Sequence, residues 1–108
     1  MEIEVNPEFK LVNLKKDIEY SADSIVSKTI LERDSGTVTL FSFDEGQNLS
    51  EHTAPFDSIL QVLEGEAQVI IGGKITSVEE NELIIMPADV PHSVKAIRKF
   101  KMLLIMIC

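Results

Sequence analysis

Two histidines, His52 and His92, are the only imidazoles among 108 residues, and they are the side chains best suited to chemistry near neutral pH. A neutral imidazole offers one lone pair to a metal ion or a proton, and one N–H to an acceptor. No other local pattern carries a mechanism. The chain has no Gly-rich phosphate loop, no paired CxxC and no Gly-x-Ser-x-Gly elbow. Its one cysteine, Cys108, cannot form an internal disulfide and reads as the end of the last apolar run.

The segments around the histidines are turns. His52 comes after the polar break Asp44-Glu45-Gly46-Gln47-Asn48, and His92 after Pro87-Ala88-Asp89-Val90-Pro91. Pro91 has a fixed φ and pushes Val90 into an extended shape, so a stiff loop aims His92. Each histidine is expected to open a β segment.

The elements that must position them read as strands. Runs rich in β-branched and aromatic residues cover 24–31, 37–43, 58–63, 67–71 and 74–78, followed by 83–86, 92–97 and 101–107. Asp34-Ser35-Gly36, Glu64-Gly65-Glu66 and Gly72-Gly73 separate neighbours as turns. The one plausible helix is a single turn near 12–18. The expected fold is all-β, a sandwich or barrel of six to ten strands, in one domain spanning 1–108. Residues 1–36 form an N-terminal extension with strands, and 37–107 carry the motifs.

Composition narrows the partners. The net charge of −8 disfavours nucleic acid and anionic membrane surfaces. The longest apolar run, Met102 to Cys108, has seven residues, against about 20 needed to span a bilayer. The acidic start, Met1-Glu2-Ile3-Glu4-Val5, lacks the layout of a signal peptide, so a cytoplasmic protein is expected. The segments 83–86 and 102–107 are apolar at every position. Their two faces are expected to be covered, one by the core and one by a second sheet or a partner subunit, most simply in a homodimer.

The motif spacing resembles that of the cupins. Their first motif is a Gly, a His-x-His pair, a Glu and a closing Gly. Here Gly46, His52, Ala54, Ser58 and Gly65 stand at that spacing. The second motif places a Gly, a Pro, a Gly, a His and an Asn. Asn81, Pro87, Asp89, His92 and Ala96 match its spacing. The resemblance implies a double-stranded β-helix, the jelly-roll barrel. It also implies one divalent transition metal, held here by His52 and His92 alone. Ala54 and Ser58 stand where the other two ligands would be, and neither replaces them.

Strand alternation puts residues two apart on one face. In the cupin register His52 and His92 would face a pocket walled by Ala54, Ser58, Leu60, Val62 and Val94, with volume freed by the two lost ligands. Glu51, Asp57 and Gln61 fall on the opposite parity. Two functions from different classes follow. One is a small-molecule binding protein with a two-histidine pocket. The other is a metal-dependent isomerase, decarboxylase or dioxygenase.

Overall fold

The computed structural model describes residues 10–108. Nine antiparallel strands fill this range: β1 (Ile25–Arg33), β2 (Gly36–Phe43), β3 (Asn48–His52), β4 (Asp57–Glu64), β5 (Glu66–Ile71), β6 (Lys74–Glu79), β7 (Leu83–Met86), β8 (His92–Lys95) and β9 (Phe100–Ile107). They form a five-stranded sheet in the order β1-β2-β9-β4-β7 and a four-stranded sheet in the order β3-β8-β5-β6. The all-β expectation holds, and no helix among the described residues is long and apolar enough to cross a membrane.

The two sheets share a core of Phe43, Leu60, Val62, Val69, Val94 and Phe100, among other buried residues. Phe43 and Phe100 stack with ring centroids 4.5 Å apart. Along β4, β5 and β8 the core residues largely alternate with half-buried or exposed ones. On β4, for instance, Ser58, Leu60 and Val62 point inward while Ile59 and Gln61 are only half-buried. The period of two is what lets one run of chain serve two environments.

Two expectations need correction. Asn48–His52 forms a strand of its own, so His52 closes a β segment rather than opening one. The strand is short and mostly exposed and sits at the edge of the smaller sheet, so its sequence carries no burial pattern to betray it. The second concerns β9. The outer face of Leu103 is covered by the chain's own N-terminal segment, where Ile18 is buried with Leu40, Leu63 and Leu103, and Val12 and Leu14 pack beside them. No second sheet or partner is needed there.

That segment is folded as expected, with one helical turn. Asp17 N–H donates to the Asn13 carbonyl at 2.9 Å, and the Asn13 side chain accepts from Lys16 N–H at 3.1 Å as a cap. Tyr20 ties the segment to the sheet. Its hydroxyl donates to Glu64 Oε2 at 2.7 Å, and Lys99 and Lys101 lie with their Nζ atoms 4.9 and 5.0 Å from the ring centre. Lys101 is nearly buried and donates to the Lys15 carbonyl, so its charge is met by a carbonyl and an aromatic face.

Away from this segment the outer face is more exposed among the described residues, although Val38 and Ile105 still pack against the Ile18 cluster. The registers place Leu31, Val38, Ile105, Ile59 and Ile85 in one row across all five strands of the larger sheet. Leu83 follows on β7 beside Gln61, and Ile107 on β9, and both are more than half exposed.

Burial first, and then the Glu64 contact, push the Tyr20 phenol above its ordinary range. A folded pKa raised above the unfolded value contributes stability that is complete below about pH 10 and fades as pH climbs towards the folded value. Tyr20→Phe removes the hydrogen bond and should cost about 1 kcal/mol at neutral pH, read from urea unfolding. Its stability should also fall less than that of the native chain above about pH 10.

Candidate functional site

The antiparallel pairing of β3 with β8 makes Asn48 a partner of Lys95, Leu49 of Val94 and His52 of His92, with an irregularity between the last two pairs. The two histidines are therefore direct cross-strand neighbours, the closest relation two side chains on adjacent strands can have. Their Nε2 atoms stand 3.1 Å apart, and the rings meet edge to face at 69° with centroids 4.4 Å apart. His92 is buried and His52 exposed, so the pair runs from the barrel interior to its mouth.

Each ring is oriented by its own turn. His52 Nδ1 lies 2.7 Å from the Ser50 carbonyl oxygen, and His92 Nδ1 lies 3.1 Å from that of Val90. A carbonyl only accepts, so both Nδ1 atoms carry the proton. In the neutral tautomers both Nε2 lone pairs then face one small gap. Two lone pairs at this distance repel unless something electron-poor lies between them. A proton or a metal cation meets that need. Two nitrogens at the usual ~2.0–2.1 Å from one ion subtend roughly 100° when 3.1 Å apart.

The loops that carry the histidines are locked together. Asp89 N–H donates to the Ala54 carbonyl at 2.8 Å, and Ala88 N–H donates to Asp57 Oδ1 at 2.8 Å. Asp57 thus faces outward, as its parity requires, and serves the loop rather than the gap. Glu51 is exposed. Asn81 and Asp89 occupy the two motif positions that hold Gly in the resembled pattern. They keep the left-handed backbone, with φ of 70° and 64°. Asn and Asp tolerate this region better than other side-chain-bearing residues, which is why the turns survive the substitutions.

Behind the pair lies a cavity of about 50 Å³. His52, His92, Ala54, Ser58, Leu60 and Val94 line it. Val62 does not; it is fully buried in the core. The volume expected from the lost ligands has not become open space. Met86, Met102, Leu104 and Met106 fill much of it, and the remaining room suits one or two atoms the size of water. Sequence reasoning passed over these methionines as strand filler. Their signal was the two-residue period of Met102, Leu104 and Met106, which puts all three on the inner face. The registers also pair Ser58 with Met86 on one side and with Met106 on the other.

No group of three or more His, Cys, Asp or Glu residues close enough to hold a metal ion occurs among the described residues. A larger concavity, about 740 Å³, has neither histidine in its lining and is bounded by charged residues such as Glu66, Glu79, Glu80, Arg98 and Lys99. Solvated charges of both signs on an open surface define no chemistry, so the small cavity beside the imidazoles is the better candidate.

Two facing antiparallel sheets closed around a core, with paired histidines at one mouth, define a double-stranded β-helix barrel. The cupin domain family matches residues 39–108, and the chain belongs to it as a small single-domain member. The conserved protein SPY1581 of unknown function from Streptococcus pyogenes is 32% identical, with 94% of this chain and 89% of that one covered and a TM-score of 0.87. A cupin 2 conserved barrel domain protein from Leptotrichia buccalis is 37% identical over 90% of this chain, with a TM-score of 0.87, and the match spans 47% of that longer chain. A cupin superfamily protein from Desulfitobacterium hafniense is 26% identical over 94% of this chain and 93% of its own, with a TM-score of 0.86. Among curated proteins none matches the chain.

Asp89 gives a direct test of how the His92 loop is held. Asp89→Gly should leave stability within about 1 kcal/mol, because Gly adopts this backbone without a Cβ penalty. Asp89→Val should lose about 2 kcal/mol or more, since a β-branched residue resists positive φ. Urea midpoints of the two variants would separate them.

Proposed function

We propose that the chain is a cupin-barrel binding protein whose pocket captures an ion-sized ligand between His52 and His92. The observation that carries this reading is the pair of facing Nε2 atoms, 3.1 Å apart, with both Nδ1 atoms committed to backbone carbonyls. Anchoring one ring nitrogen and freeing the other is the arrangement that prepares imidazole as a ligand. The cavity size supports it. A pocket of about 50 Å³ is several-fold below the roughly 300 Å³ at which drug-sized ligands begin to fit. A small molecule could enter only by its tip, at the exposed His52 end.

The donor set fits a metal ion held by two imidazoles. It does not fit the shell of two histidines and a carboxylate used by non-haem iron oxygenases, because Asp57 and Glu51 face away and Ser58 is neutral. A transition-metal ion bound here would supply Lewis acidity. His92 would hold it from the interior and His52 from the mouth, while the aliphatic walls exclude water. The reading therefore remains binding rather than a named reaction.

Calorimetric titration with Zn²⁺ or Ni²⁺ should give one equivalent per chain. His52→Ala and His92→Ala should each weaken binding a hundredfold or more, about 2.7 kcal/mol. Undiminished binding in both variants would rule the pair out as the site.

We further propose that a second copy of the chain covers the exposed part of the larger sheet's outer face. The row Leu31, Val38, Ile105, Ile59 and Ile85 bears no charge, although the chain as a whole carries −8. The row itself brings no carboxylates together when two like-charged copies meet along it, and burying aliphatic side chains drives the contact. Sedimentation should give twice the chain mass of 12.1 kDa at micromolar concentration, and Ile85→Lys should return the single-chain mass.

A further inference from the structure

The cavity wall opposite the imidazoles is unusual in what it offers a cation. Ser58 sits in the middle of an inward-facing row, with Met86 its ladder partner on β7 and Met106 its partner on β9. Both methionines line the cavity that His52 and His92 line. The strand position from which a carboxylate would reach the site thus presents a small hydroxyl flanked by two thioethers. Thioether sulfur is a soft, uncharged donor. It binds Cu⁺ well and gives little to hard divalent ions.

Charge points the same way. The remaining walls are Leu60, Val94, Leu104 and other apolar groups, and no carboxylate lines the cavity. An ion there has no counter-charge beside it. The cost of taking an ion out of water rises with the square of its charge, so a divalent ion loses about four times what a monovalent one does. The imidazoles alone do not satisfy a monovalent ion either. Linear two-coordination would need the nitrogens about 4 Å apart at ordinary bond lengths, and they stand at 3.1 Å. A bent pair would leave open coordination positions, and Met86 and Met106 line the same cavity.

We infer that the cavity is a soft-metal site for a monovalent cation of the copper(I) type, with Met86 and Met106 as thioether donors completing His52 and His92. The inference rests on the two-histidine reading above and names the class of ion that reading leaves open. No redox step is involved; the ion binds as Cu⁺.

The test uses the whole chain with Cys108→Ser, because the exposed thiol would itself take Cu⁺. Anaerobic titration against a chromophoric Cu⁺ chelator should give one equivalent bound, with a sulfur shell in the copper X-ray absorption spectrum. Met86→Leu with Met106→Leu conserves volume and should fold. It should weaken Cu⁺ binding a hundredfold or more, remove the sulfur shell and leave Zn²⁺ affinity within about threefold. Native Cu⁺ affinity in the double methionine variant, or a spectrum with nitrogen alone, overturns the inference while leaving the histidine pair standing. Equal loss of Cu⁺ and Zn²⁺ in that variant overturns the thioether role as well. Full Cu⁺ binding in His52→Ala and His92→Ala overturns both readings.

Discussion

The placement of His52 directly across from His92 on neighbouring antiparallel strands is the constraint from which the site follows. A register slip of one residue would send one ring to the other face of the sheet. The register is pinned from both ends. At one end Gly46 N–H donates to the Ala96 carbonyl at 2.8 Å and Ala96 N–H donates to the Gln47 carbonyl at 2.9 Å. At the other, the Asp57 carboxylate and the Ala54 carbonyl hold the loop that ends in His92. The barrel core acts on the site mainly by fixing these two strands and the loops between them.

Much of this was legible in the sequence because the cues were local. Turn residues at Asp34-Ser35, Gly65 and Gly72-Gly73 punctuate β-branched runs, and all three lie at strand junctions. The relation of His52 to Ala54, Ser58 and Leu60 was legible only through the motif spacing, because residues 53–56 form a loop between strands of different sheets and the period of two does not run across it. Strand β3 was missed because an exposed edge strand need not alternate. Asn48, Ser50 and Glu51 look like the loop that precedes them, and only the pairing with β8 makes them a strand. The cavity was misjudged for a different reason. Whether a lost side chain leaves a void depends on what the facing strands supply, and Met86, Met102 and Met106 lie far from Ala54 in sequence. Methionine fills irregular space readily, so the interior closed around the missing ligands.

The apolar runs show how one sequence pattern can have two explanations. β7 and residues 102–107 of β9 are apolar at every position, yet their outer faces meet different fates. On β9 Leu103 lies under the N-terminal segment, anchored by Tyr20 and Lys101. On β7 Leu83 and Ile85 stay more than half exposed among the described residues. Sequence alone shows that such a face wants cover. It does not show whether cover comes from the same chain, because that depends on where a distant segment is tethered.

The edge position of β3 also governs kinetics. Among the described residues its one neighbour is β8, its pairing is irregular before His52, and its residues are largely exposed. Few contacts are lost when such a strand peels away, so its opening is governed by a local free energy well below that of the whole barrel. His92, inside and flanked by β5 on its other side, stays in place when this happens. One donor is then fixed while the other swings on a detachable flap. An ion held in the gap, as proposed, would leave by way of this strand without the core unfolding, and its residence time would follow the fraying of five residues at the margin of the sheet.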